Sequence, residues 1–236
     1  MSDIYMIRHG QASFGGDTYD RLSPLGHRQA QIVAADMLSK KYRFDAVYHG
    51  TLDRQRNTAE ALFLLCGQLG IDVPEPSVSE AFNEYDSESV VKCQVPLMLQ
   101  EEPGLSQKVD RIYTDRKAFQ YIFEKAMRRW TSGRHDPPGE PTWTGFKSDV
   151  RQGIQALMQR HGAKKRIAVF TSGGPISVAI QAALSLSDET TMEISWQLMN
   201  ASVTRFKYNS QGMALAGFND IGHLERENDP ALLTYR

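Results

Sequence analysis

Cysteine is scarce in this chain, with only Cys66 and Cys93 among 236 residues. Two thiols make no disulfide framework, and their spacing matches no metal-ligand pattern. A reducing compartment suits such a chain, so a cytoplasmic location is expected. Excess charge is also lacking. The 27 Lys and Arg nearly balance the 28 Asp and Glu, giving a formal net charge of -1. That offers no ground for nucleic acid or an acidic membrane as partner, so an anion must be held by local placement of cations. Apolar runs of membrane-spanning length are missing. The N-terminus has no basic segment followed by an apolar one, so no signal peptide is expected. Internal repeats and low-complexity tracts are missing too.

What is present is an ordinary globular composition, 41% hydrophobic and 23% charged. A chain of this length buries on the order of 70–75% of its unfolded surface, enough for a core without staples. The pattern alternates short apolar runs with helical spacing. Residues 3–7 read as a buried strand, 44–48 as a second and 166–171 as a third, and 203–208 and 213–217 as the last two. Helices are predicted from Pro24 to about Lys41, from about Leu52 to Leu69, from about Thr144 to Arg160, from Ile176 to Leu186 and from Asp188 to Leu198. Val78 to Phe82 reads as a short extended piece. Residues 86–146 break the rhythm. Val109, Ile112, Tyr113, Phe119, Ile122, Phe123, Ala126, Met127 and Trp130 recur there at helical spacing, the mark of a helical insertion. Residues 219–236 read as an irregular tail. Strands alternating with helices predict a largely parallel sheet with helices on both faces.

The chemistry-bearing residues gather where strands end. The run Asp3-Ile4-Tyr5-Met6-Ile7-Arg8-His9-Gly10 delivers a cation and an imidazole at a strand exit, where open α/β sheets bind ligands. Arg54 stands at the mouth of the second helix. Glu84 stands just before the insertion. Ser172-Gly173-Gly174 ends the third strand. In a parallel sheet these exits share one edge. Two arginines hold phosphoryl oxygens in forks. Backbone N–H groups at Gly173 and Gly174 offer an anion site. His9 serves as nucleophile and Glu84 as general acid, then base. Ser13 and Gln11 stand in the first loop near the phosphate, where polar residues most often serve the turn.

Arg8-His9-Gly10, the Arg54…Thr58-Ala59 segment and Asn83-Glu84 closely resemble the histidine phosphatase superfamily, which includes the cofactor-dependent phosphoglycerate mutases. The Gly-Gly turn after a later strand and Asn219-Asp220…His223-Leu224 look similar as well. The resemblance covers nearly the whole chain. It implies one phosphoglycerate mutase-like domain over 1–236, a three-layer α/β/α fold, with the insertion of about 86–146 over the catalytic edge. It implies catalytic His9, Glu84, Arg8 and Arg54, and phosphate held by Arg8, Arg54, Ser172, Gly173 and Ser13. No metal and no cofactor are expected, because the arginines already neutralise phosphate.

The chain departs from the family at Ser172, where members usually carry a second catalytic histidine. A serine hydroxyl donates one hydrogen bond but carries no charge. His49, at another strand exit, is the first candidate to compensate. Three functions therefore stand open. The first is a metal-independent phosphohydrolase of a small phosphate monoester, working through a phosphohistidine on His9. The second is a phospho-ligand-binding protein with weak or no turnover. The third, ranked lowest, is a phosphoglycerate mutase-type isomerase. Arg56, His27, His135, His161 and His223 read as surface, capping or structural groups. Most of the insertion's cations, among them Lys108, Arg111, Lys125 and Arg128, read as a solvated face, with one or two leaning over the pocket.

Overall fold

Ile4-Tyr5-Met6-Ile7 has no polar member, so a strand made from it must be covered on both faces. The computed structural model describes residues 1–13, 20–112 and 114–235 and buries all four of these side chains. Gly15 and Gly16 of the first loop and Tyr113 of the insertion lie outside the described residues.

The elements run β1 (Ser2–Arg8), α1 (Pro24–Ser39), β2 (Ala46–His49), α2 (Asp53–Gln68), β3 (Ser77–Val78), α3 (Ser87–Glu101), α4 (Ser106–Val109), α5 (Arg116–Ser132), α6 (Trp143–His161), β4 (Arg166–Thr171), α7 (Gly173–Leu184), α8 (Asp188–Gln197), β5 (Val203–Asn209), β6 (Gly212–Asp220) and α9 (Gly222–Glu225). The sheet order is β3-β2-β4-β1-β5-β6. The first four strands are parallel, β5 runs antiparallel to β1, and β6 runs antiparallel to β5. The mixed, mostly parallel sheet agrees with the sequence pattern.

Alternation along the strands makes two cores. Ile4, Met6 and Val169 face α6, α7 and residues of α3 and α5 such as Val90, Ile122 and Trp130. Tyr5, Ile7, Ala168 and Phe170 face α1 and α2 through Val33, Met37, Ala59 and Leu62. Helices thus cover both faces, a three-layer arrangement. The register pairs Arg8 with Thr171 and His49 with Phe170, so the exits of β1, β2 and β4 open on one edge.

Four details differ from the sequence pattern. The stripe of 109–130 is not one helix. Asp115 Oδ1 accepts the Lys117 N–H at 2.8 Å and the Ala118 N–H at 3.3 Å, starting α5 afresh. The extended piece at 78–82 is paired only at Ser77–Val78 and then tightens into a 3₁₀ turn at Glu80–Phe82. Helix α7 begins at Gly173, three residues before Ile176. The tail holds α9 and a 3₁₀ turn at Pro230–Leu232. It is fastened by Gln29, whose Nε2 donates to Leu232 O at 2.8 Å and Thr234 Oγ1 at 2.9 Å. Among the described residues, no helix is long and apolar enough to cross a membrane.

Candidate active site

The chain leaves β1 at Arg8 and must turn at once, because α1 passes directly over it. A Cβ on Gly10 would lie 2.3 Å from Gly26 O, and one on Gly26 would lie 2.1 Å from Gln11 O. Both positions need glycine for this backbone-to-backbone approach. Gly10 N–H donates to Thr58 Oγ1 at 3.1 Å, and Thr58 O–H donates back to Arg54 O at 2.7 Å. The Thr58 hydroxyl therefore couples the β1 exit to the turn of α2 that carries Arg54.

His9 is only 6% exposed. Its Nδ1 lies 2.7 Å from Gly10 O. A carbonyl cannot donate, so Nδ1 carries the proton and Nε2 presents a lone pair. Arg54 Nε–H reaches that Nε2 at 3.3 Å. Burial, then the Arg54 and Arg8 guanidinium groups, hold the imidazole pKa well below its ordinary value. The ring is therefore neutral and nucleophilic at physiological pH. The His9 carbonyl is fixed by Ala201 N–H at 3.1 Å and Asn200 Nδ2 at 3.2 Å.

Arg54 is anchored by Asp20, whose Oδ1 lies 2.6 Å from its Nη1. The other Asp20 oxygen accepts Asp53 N–H at 2.7 Å, capping α2, where Leu52 supplies no side-chain cap. Arg8 Nη1 donates to Leu198 O. Ser13 lies beside the Ala12–Leu22 bridge, its N–H donating to Arg21 O at 2.7 Å.

Glu84 is half-buried at the edge. Gly174 N–H spans its two carboxylate oxygens at 3.1 and 3.2 Å, and Tyr85 N–H reaches Oε1 at 3.2 Å. A Cβ on Gly174 would lie 2.1 Å from Glu84 Oε1 and 3.0 Å from the Phe146 and Tyr85 rings, so only glycine admits the carboxylate. A Cβ on Gly173 would lie 3.8 Å from Glu84 Oε2 and 3.9 Å from Arg8 Nε, which places Arg8, Glu84 and the α7 start around one point. Burial raises the Glu84 pKa, against the backbone donors and the two arginines, which lower it. Tyr85 stacks into an aromatic group with Trp130 at 4.9 Å and Phe146 at 5.5 Å between ring centroids.

Ser172 is fully buried and takes the Gln55 Nε2–H on its Oγ at 2.8 Å. His49 closes onto its neighbour, with Nδ1 at 2.6 Å from Gly50 O. That repeats the local geometry of His9 with Gly10. His161 bonds the Tyr48 hydroxyl at 2.8 Å, and His223 Nε2 lies 3.0 Å from Ala201 O, both structural pairings. Of the insertion's cations, Lys125 pairs with Glu102, and Arg128 with Glu124, Glu189 and Glu193.

Sequence reading missed Asp20, Gln55 and Asn200. Each acts through contacts spanning about 30 to 190 residues of chain, for which local pattern carries no signal. Asp20 alone left a trace, as an acid in a loop rich in Gly, Asp and Ser.

A mostly parallel α/β sheet, with an imidazole, two guanidinium groups and a carboxyl at one edge, defines a protein built to handle a small anion. The chain belongs to the histidine phosphatase superfamily (branch 1), whose sequence profile it matches over residues 4–103 and 94–221. Its fold is the phosphoglycerate mutase-like α/β fold. Phosphoglycerate mutase-like protein 4 of Arabidopsis thaliana is 24% identical over 234 residues, 95% of this chain and 87% of that protein. A phosphoserine phosphatase of Entamoeba histolytica, solved with phosphoserine, superposes with a TM-score of 0.63 at 20% identity, covering 95% of this chain and all of that one (100%). A phosphoglycerate mutase of Bacillus anthracis superposes with a TM-score of 0.61 at 16% identity, covering 97% of each.

Proposed function

We propose that this chain is a metal-independent phosphohydrolase of a small phosphate monoester, acting through a phosphohistidine on His9. The observation that carries the reading is the state of His9. Its proton is on Nδ1, its Nε2 lone pair faces Arg54, and its pKa is held down by burial and two cations.

An incoming phosphoryl group draws the N–H donors of Arg54 and Arg8 onto its oxygens and frees Nε2. Nε2 attacks phosphorus while the ester P–O bond breaks. Glu84, whose hold on its proton burial strengthens, gives that proton to the departing oxygen. Glu84 carboxylate then takes a proton from water, whose oxygen attacks the phosphohistidine and returns His9 as inorganic phosphate leaves. Gly173, Ser172 and Ser13 complete the anion's surroundings. A carboxyl with a raised pKa close to the two arginines favours turnover over a pure binding role, because a binder has no use for a proton donor. Isomerase action needs a phosphohistidine held against water by strong phosphate contacts, and Ser172 in place of the family's second histidine speaks for hydrolysis.

The test is release of phosphate from p-nitrophenyl phosphate in the presence of a chelator, with rapid acid-free quenching to trap the labelled enzyme. We expect turnover and a base-stable, acid-labile phosphoenzyme, with both lost in His9→Ala. Undiminished turnover in that variant would remove His9 as nucleophile.

A further inference from the structure

The reaction scheme leaves one buried polar side chain at the site without a task. Gln55 follows Arg54 in the first turn of α2 and is fully buried. Its Nε2 donates to Ser172 Oγ at 2.8 Å and to Phe82 O at 2.9 Å. The same Phe82 carbonyl accepts the Thr171 hydroxyl at 2.6 Å. One amide thus ties the start of α2, the segment leading to Glu84 and the exit of β4. Its Oε1 is buried without a hydrogen-bond partner among the described residues. That acceptor is costly to leave unpaired, so the amide's orientation is set by its donor side. Space confines it too, since a Cβ on Gly50 would lie 1.9 Å from Gln55 Oε1.

A serine hydroxyl has one proton to give and lone pairs to accept with. Gln55 N–H occupies the accepting side of Ser172. Among the described residues the O–H remains as a donor, on the residue before Gly173, where an added Cβ would lie 3.9 Å from Arg8 Nε and 3.8 Å from Glu84 Oε2. Resting on the phosphatase reading above, we propose that Gln55 is a positioning residue that fixes the Ser172 hydroxyl as an uncharged hydrogen-bond donor to the bound phosphoryl group. The pair does the work at a position where the family resemblance implies an imidazole. It also fills that place: an imidazole at 172 in the serine's rotamer would run into the Gln55 amide.

The test is a double-mutant cycle of Gln55→Met and Ser172→Ala, read as kcat and KM for p-nitrophenyl phosphate, as orthovanadate affinity and as Tm. Each single variant should lose about a hundredfold in kcat with little change in KM, the usual scale for one donor to transition-state charge. The double variant should match Ser172→Ala alone in kcat, because the catalytic share of Gln55 passes through the hydroxyl, while its bond to Phe82 O bears on Tm. Losses that multiply, or a Gln55→Met variant with lowered Tm and intact kcat, overturn the proposal. Wild-type protein that turns over no phosphate ester would count against the phosphatase reading alone, and the same cycle in vanadate affinity would still decide on the pair. A second arm uses Ser172→His. It should gain nothing alone and gain at least tenfold when combined with Gln55→Ala; equal rates for the two refute the shared space.

Discussion

At the scale of the residue, His9 and Glu84 are pushed in the directions that the chemistry needs. Burial disfavours both charged forms, lowering the imidazole and raising the carboxyl. The reactive form has neutral His9 and protonated Glu84. kcat/KM should therefore rise with pH through the depressed His9 pKa and fall through the elevated Glu84 pKa. The falling limb lies at higher pH than an ordinary carboxyl would give. In Glu84→Gln that limb should vanish, and kcat on an alkyl phosphate should drop by about 10²–10⁴. A pH–rate profile on both proteins checks this, and a persisting basic limb in the variant would remove Glu84 as the acid. The same shifts act on stability. Folded Glu84 binds protons more tightly than unfolded, so its contribution falls as pH rises from the ordinary carboxyl value through the raised one. Folded His9 binds them more weakly, so stability is lost as pH drops below 6.5, the ordinary imidazole value.

At the scale of the element, the start of α7 decides where the acid can sit. Glycine is a poor helix former, so Ser172-Gly173-Gly174 reads locally as a turn, with the helix delayed to Ile176. The structure starts the helix at Gly173 because an N–H in the first helical turn has no partner within the helix. Glu84 supplies one, at a distance that forbids a methyl group. Gly174→Ala should displace the carboxylate and lower kcat about a hundredfold while His9 remains phosphorylatable. Phosphoenzyme formation and steady-state rate on p-nitrophenyl phosphate, whose leaving group departs without a proton, check it; equal loss of both would place Gly174 in the support of His9 instead.

The strand exits were legible because each ends an apolar run in polar residues followed by glycine. β1 announced Arg8 and His9 in this way. Arg54 and Glu84 were legible only through their order along the chain, since an isolated arginine or glutamate carries no local mark. Asp20 was legible only as one acid in a polar loop, and Gln55 was not legible at all. Their partners are set by where the sheet brings separate loops, and a long-range contact has no periodicity to read. The break at Asp115 was hidden for another reason. The apolar spacing continues across it, and the restart rests on a single capping carboxylate.

At the scale of the whole molecule, His9 is held by the sheet, by α2 and by the segment before β5. β1 carries it between β4 and β5. Thr58 of α2 holds Gly10, and Asn200 and Ala201 hold its carbonyl. Asn200 is itself bonded to the chain's last segment, with its N–H donating to Thr234 O at 2.8 Å. Removing residues 230–236 should therefore lower Tm and kcat together. Thermal melting and turnover of the shortened chain check this; a lower Tm with kcat intact would show that the tail serves the fold alone.

The crossing of Gly10 over Gly26 puts two main chains in contact with no side chain between them. Side chains act as springs, yielding by changes of rotamer; two touching backbones have no such slack. The reactive imidazole consequently has no softer hinge of its own. On slow heating, it should keep its alignment until the sheet and α1 part, so catalysis would end in one step with the fold instead of fading ahead of it.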